Sequence, residues 1–134
     1  MEKTLFMIKP DATARGLVGE LVARMESEGF TLERLELQRF DRPRAEAFYG
    51  VHKGKPFFES LVEYITSGPV VPMVLSGEGV IGRVREIMGA TNPAEAASGT
   101  IRRKYAESLE RNSVHGSDSP ASAEHEIQVA FGGP

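Results

Sequence analysis

The feature that most constrains this chain is the uninterrupted apolar run Leu5-Phe6-Met7-Ile8, which Pro10 stops. Such a run reads as a buried strand entering a turn, and the rest of the chain must cover it. Leu17, Val18, Leu21, Val22 and Met25 recur at the spacing of one helix face, with Gly29 placed to end that helix. From Phe30 to Leu37 the apolar positions slip in phase at Glu33-Arg34, which predicts a strand carrying a bulge. Arg44 to Val51, after Pro43, is a short helix candidate.

Phe57, Phe58, Leu61, Val62 and Ile65 form a clearer helix, opened by Pro56 and closed by Gly68-Pro69. Val70 to Leu75 is a strand interrupted by Pro72, which predicts an edge or bulged position. Helical spacing returns at Val80, Ile81, Val84, Ile87 and Met88, and Gly89 stops it. Ala90 to Arg111 has weak periodicity and reads as a long loop, a length that usually serves function. A brief strand at Ser113-Val114-His115 is followed by a helix with Ser119 as N-cap, Pro120 at its first position, and Ala123, Ile127, Ala130 and Phe131 on its apolar face. Gly132-Gly133-Pro134 is expected to fray. With the short extra helices set aside, the order is βαββαβ, an α+β, ferredoxin-like sandwich: a four-stranded antiparallel sheet with helices packed on one face, plus a long loop and a C-terminal helix.

Composition narrows the function classes. The chain's 134 residues suit one domain spanning 1–134 with its own core. It contains no cysteine, which excludes a disulfide scaffold, a thiolate metal site and a cysteine nucleophile. A net charge of -3 gives no global field for nucleic acid, so the cluster Arg102-Arg103-Lys104 needs a local explanation. No apolar stretch nears the roughly 18 residues of a membrane span. The N-terminal apolar run is also too short for a secretory signal, so a cytoplasmic location is expected.

Two motifs carry candidate chemistry. Gly77-Glu78-Gly79-Val80-Ile81-Gly82 matches G-x-G-x-x-G between a strand and a helix, the context of a dinucleotide fingerprint. Pro72 is awkward in the central parallel strand that such a site requires, and no second strand with a ribose-binding acid follows. A glycine-rich strand-to-helix turn is the competing reading. No P-loop sequence occurs anywhere.

The other motif is His115, one of three histidines. His52 and His125 lie in polar surroundings and read as solvated surface. His115 ends a short strand ahead of Gly116-Ser117-Asp118-Ser119 and a helix start, where anionic groups are favourably held. Its residues alone leave a structural and a catalytic role both open. Glu126, at the border of the last helix's buried face, could hold His115 in one tautomer and expose its other nitrogen as a nucleophile. Lys9, Arg85 and Arg102 are cations of the kind that clamp phosphates, although each alone could be a surface ion. Phe57 could be core, like Phe58, or a face for stacking.

Met7-Ile8-Lys9-Pro10-Asp11, Ser67-Gly68-Pro69-Val70-Val71, Thr91-Asn92-Pro93, Gly99-Thr100-Ile101-Arg102 and Asn112-Ser113-Val114-His115-Gly116-Ser117-Asp118-Ser119, in this order and spacing, resemble the nucleoside diphosphate kinase family across essentially the whole chain. The resemblance implies a ping-pong transfer of a γ-phosphoryl group from a nucleoside triphosphate to His115 and on to a nucleoside diphosphate, with broad base acceptance. It implies that Lys9, Arg85, Thr91, Arg102 and Asn112 hold phosphates and ribose, and that Phe57 stacks on the base with Leu109 covering its other face. Tyr49 is placed near the transferred phosphate, and Glu126 orients the histidine with Ser117 beside it. The resemblance further implies that the long loop binds nucleotide. Mg²⁺ arrives on the nucleotide without a protein metal site, and a tetramer or hexamer is implied.

Departures from the family pattern are Ala12 for a glycine, Phe48 for a histidine, both read as peripheral, and Arg103-Lys104 where an acidic residue is common. The chain also ends at Pro134 without a longer extension, which bears on assembly. A catalytically idle nucleotide-binding or scaffold homologue and an oxidoreductase are the alternatives. Retention of His115, Lys9 and Glu126 speaks against the first, and NAD(P) binding would test the second.

Overall fold

A computed structural model describes residues 2–109 and 111–132. The strands are β1 (Glu2–Ile8), β2 (Thr31–Leu35), β3 (Val71–Gly77) and β4 (Val114–Gly116), and they form one sheet in the order β2-β3-β1-β4. Every pairing is antiparallel. Crossing between the strands are α1 (Pro10–Ala14), α2 (Val18–Ser27), α3 (Arg42–Phe48), α4 (Phe58–Ile65), α5 (Val80–Met88) and α6 (Ile101–Tyr105), and α7 (Pro120–Phe131) follows β4. The βαββαβ frame expected from the sequence is present.

The expected single layer of helices is not. Side chains alternate along a strand, so β1 sends Phe6 and Ile8 to one side and Leu5 and Met7 to the other. Phe6 and Ile8 join a core with Leu21 and Met25 of α2 and Val80, Val84 and Met88 of α5. Leu5 and Met7 join a second core with Ala45 and Phe48 of α3, Val62 and Ile65 of α4, and Ala130 of α7. All four are fully buried, each side chain contributing about 1.5–3 kcal/mol of apolar burial. A strand covered on both faces needs an unbroken apolar sequence, which is why the run from Leu5 to Ile8 does not alternate.

Pro72 also departs from expectation, since β3 is a central strand with β1 and β2 on its two sides. Its backbone polar atoms face β2, where Glu36 N donates to Pro72 O at 3.2 Å. β2 has already ended at Leu35 there, so the donor that proline lacks would meet only the departing chain. The bulge does occur: the β2–β3 register shifts between Leu32 and Arg34.

Pro10 starts a short helix rather than a turn, its fixed φ suiting a first helical position. The presumed long loop is folded too. Asn92 caps a 3₁₀ turn at Pro93–Glu95, and Thr100 caps α6. At the other end Ser119 accepts from Ser122 N and Pro120 opens α7, as the sequence predicts, while Gly132 ends it in the left-handed region. The fraying expected of Gly133-Pro134 lies outside the described residues. Among those described, no helix is long and apolar enough to cross a membrane.

The Gly77 to Gly82 run is a turn between β3 and α5, with Gly79 left-handed at φ 62. Because β3 is antiparallel to both neighbours, no parallel βαβ nucleotide fingerprint exists here. Gly116 has a different use: a Cβ there would lie 2.6 Å from Met88 Sδ and 3.3 Å from Val84 Cγ1. This glycine lets α5 sit against β4. Gly116→Ala is therefore expected to lower stability by roughly 1–3 kcal/mol in urea unfolding, and an unchanged midpoint would contradict this packing.

Candidate active site

β4 pairs with β1 through Ile8↔Val114, Met7↔His115 and Phe6↔Gly116. Val114 belongs to the α2–α5 core, so strand alternation turns His115 to the opposite side, toward α3 and α7. His115 is thus the central residue of β4 rather than its end. Its ring meets Phe48 edge to face with centroids 5.0 Å apart, and its Nε2 lies 2.8 Å from Glu126 Oε1. Ser117 Oγ donates to that same carboxylate oxygen at 2.8 Å, and Leu5 N donates to Ser117 Oγ at 3.2 Å.

An ionised carboxylate only accepts, so His115 donates from Nε2. The tautomer this selects leaves the lone pair on Nδ1. The side chains of His115 and Glu126 are 22% and 12% exposed, so the pair is mostly buried but keeps some access to solvent.

Cations converge on the same region. Lys9, the last residue before α1, is buried, and its Nζ donates to Asn112 Oδ1 at 2.9 Å. Arg85 of α5 donates from Nη1 to Gly116 O at 3.4 Å. Arg102 of α6 is 7% exposed and donates from Nη1 to Gly89 O and from Nη2 to Val114 O, at 3.1 and 2.8 Å. Its Nε is buried with no hydrogen-bond partner among the described residues. Burial first, then Arg85, pulls its pKa down to about 10, so it remains charged at neutral pH. Neither arginine forms a salt bridge with a carboxylate among the described residues; Arg85 is exposed, whereas Arg102 is a buried cation and so favours an anionic ligand.

Aromatic groups line the approach. Tyr49 follows α3, is buried, and packs on Phe48 at 5.3 Å. His52 lies 6.3 Å from Tyr49 and 5.2 Å from Phe57, centroid to centroid. Phe57 is not core, unlike Phe58: it is 44% exposed, and Leu109 is 60% exposed. Asn112 Nδ2 donates to Leu109 O at 3.0 Å, tying that loop to the Lys9 contact. Thr91 stands exposed ahead of the 3₁₀ turn, so its place beside phosphates rests on the resemblance alone.

Several readings of the sequence need correction. Phe48 is not peripheral, because its ring walls the nucleophile candidate; its position beside Tyr49 was the available signal. Ala12 is fully buried in the core. Arg103 and Lys104 are exposed, Arg103 donating to Ala94 O and Lys104 lying over the Tyr105 ring. They complete the basic last turn of α6, which suits its negative dipole end. His125 is exposed, with Nε2 3.0 Å from Ala47 O. Among the described residues no group of three or more His, Asp or Glu could hold a metal ion.

Sequence reasoning also missed the backbone before His115. Ser113 is the only non-glycine described with a positive φ, at 72, and is fully buried. Such a conformation costs roughly 1–3 kcal/mol and tends to gather at functional sites.

A ferredoxin-like domain that sets a carboxylate-backed histidine near a buried arginine, an exposed arginine and a buried lysine belongs with histidine-centred phosphoryl-transfer proteins. A family model described as nucleoside diphosphate kinase matches residues 2–133, and the chain belongs to that family. It is 57% identical over 131 residues to the nucleoside diphosphate kinase of Pelotomaculum thermopropionicum, covering 98% of this chain and 88% of that one. The enzyme of Listeria innocua is 54% identical over 131 residues, covering 98% and 89%. Among solved structures, that of Aquifex aeolicus superposes with a TM-score of 0.95 at 45% identity, covering 97% of this chain and 94% of that one. That of Halobacterium salinarum, in complex with CDP, gives 0.94 at 43% identity, covering 97% and 87%. The chain is an enzyme that transfers phosphoryl groups between nucleotides.

His52 is no solvated surface residue. Its Nδ1 is buried with no hydrogen-bond partner among the described residues. Burial first, then the charges of Lys55 and His115, lower its pKa below the ordinary 6.5, while Asp118 opposes them. Folding thus favours neutral His52, and the stability this adds is present above the unfolded value and lost as pH falls through the lowered one. His52→Gln should therefore lose less Tm than the parent between about pH 7 and about pH 5. Parallel Tm curves would reject the assignment.

Proposed function

We propose that His115 Nδ1 accepts the γ-phosphoryl group of a magnesium-bound nucleoside triphosphate and passes it to a nucleoside diphosphate. The observation that carries this reading is the chain Leu5 N to Ser117 Oγ to Glu126 to His115 Nε2, which leaves Nδ1 as the available nucleophile. In the first half-reaction the Nδ1 lone pair forms a bond to the γ-phosphorus. The bond from that phosphorus to the bridging oxygen breaks, and the nucleoside diphosphate leaves. In the second half a terminal β-oxygen of another diphosphate attacks the phosphorus, and the N–P electrons return to Nδ1.

Phosphorylation draws electron density from the ring, so Nε2–H becomes a stronger donor and its bond to Glu126 tightens. Such differential stabilisation is what accelerates a step. Lys9, Arg85 and Arg102 meet phosphate charge, with Thr91 and Asn112 completing the hold on phosphates and ribose, and Tyr49 lies beside the transferred group. Phe57 and Leu109 take opposite faces of the base. Face contacts read no base edge, in keeping with broad acceptance of nucleotides.

Mg²⁺ enters as part of the substrate, held by phosphate oxygens and water, the habit of this ion at nucleotide sites. The chain 1–134 acts as one catalytic domain in the cytoplasm, without nucleic acid or membrane partners. It assembles as a homo-oligomer, tetramer or hexamer. Support for self-association comes from the open edge of β2, where Leu35 and Leu37 are 39% and 71% exposed.

Incubation with γ-labelled ATP should give a protein label that is lost in acid, kept in alkali and absent from His115→Ala; an unlabelled parent enzyme would sink the reading. Glu126→Ala should slow label formation on the order of 100-fold while nucleotide affinity shifts by less than about threefold. Equal losses in both would remove its orienting role.

A further inference from the structure

Two residues before His115 the backbone takes a shape that its sequence does not favour. Ser113 holds φ 72, and Val114 N donates across it to Asn112 O at 2.9 Å. A bond from residue i+2 back to residue i around a positive φ is the rare, strained form of the γ-turn. Any residue with a Cβ tends to leave it unless something else prevents that.

A buried polar network prevents it. Ser113 Oγ donates to Asp11 Oδ2 at 2.8 Å, and Tyr64 Oη donates to Asp11 Oδ1. Asp11 N donates back to Tyr64 Oη at 3.3 Å. Ser113, Asp11 and Tyr64 are 0%, 4% and 5% exposed, so water cannot replace any of these bonds. Burial first, then the bond to Asp11, holds the Tyr64 phenol far above its ordinary range, and it stays a donor at every working pH.

The network also joins two parts of the site that are remote in sequence. Asp11 lies two residues after Lys9, and Ser113 lies two before His115. Lys9 N donates to Ser113 O at 2.9 Å, and Lys9 Nζ to the Asn112 side chain at 2.9 Å. One carboxylate therefore locks the turn that aims the histidine strand and the helix start that presents the lysine.

We infer that Asp11 and Tyr64 are positioning residues for phosphoryl transfer: by holding Ser113 in its left-handed turn they fix His115 relative to Lys9. The inference rests on His115 being the phosphate acceptor. Neither residue touches the reacting atoms. Their removal should misplace the nucleophile rather than weaken nucleotide binding.

The test is rapid-quench measurement of phosphohistidine formation from γ-labelled ATP, with nucleotide affinity and thermal unfolding measured on the same samples. Tyr64→Phe and Ser113→Ala should each slow the single turnover by about 10- to 100-fold, with affinity moved by less than about threefold. Ser113→Gly removes the Cβ that disfavours the turn, so it supplies a rescue background. There, Tyr64→Phe should cost less than about threefold relative to Ser113→Gly alone.

Equal losses in the two backgrounds would overturn the inference, as would labelling of Tyr64→Phe at the parent rate. Should Tyr64→Phe not unfold cooperatively, Ser113→Ala decides by the same rate and affinity criteria. Absence of label on the parent enzyme defeats the His115 reading itself, so the two failures are distinguishable.

Discussion

Leu5, Phe6, Met7 and Ile8 have no exposed surface, and each has a core on its own side of the sheet. β1 therefore cannot slide by one residue without exchanging the side chains of both cores. β3 and β4 both read their registers from it. The position of His115 opposite Met7 is inherited from that constraint, not from any local preference of the three-residue β4.

Strand alternation then divides the labour of the sheet. The face toward α2 and α5 is apolar, and α5 is packed so closely there that a side chain at residue 116 would have to displace Met88 and press on Val84. The other face carries His115 into contact with α3 and α7, which deliver Phe48 and Glu126. Arginines reach the same place along the backbone, Arg102 anchored on the carbonyls of Gly89 and Val114 and Arg85 on that of Gly116. A cation anchored in this way needs little movement when phosphate charge arrives, the condition under which electrostatic stabilisation is most effective.

Much of this was legible in the residues, and the exceptions have physical causes. Ser119-Pro120 announced α7 because capping is a local effect, and the phase slip at Glu33-Arg34 announced the bulge because alternation is local too. Glu126 and His115 could be paired on the strength of a carboxylate at a buried border. The two-sided cover of β1 was implicit in its unbroken apolar run, yet the same run could have met one layer. Pro72 misled because its tolerance depends on where a neighbouring strand stops, which no single segment records.

The segments α1 and α6 span five residues each, too few for a helical period to show. Phe48 and His52 owe their places to α3 and to a 3₁₀ turn at Gly50–His52, which fold over the sheet from a distant part of the chain. The contrast between Phe57 and Phe58 is a matter of one residue's rotation about the start of α4, where periodicity is weakest.

Ser117 ties a main-chain amide of β1 to the carboxylate of α7, the earliest and latest elements of the described chain. During synthesis on the ribosome α7 emerges after every other element described, and until it docks His115 has neither a fixed tautomer nor a polarising acid. On the proposed role of His115, chemical competence is thus a late event in the life of each molecule. On the same reading, nascent chains would collapse around β1 without consuming triphosphate, and partial unfolding that releases only α7 would silence an otherwise intact domain.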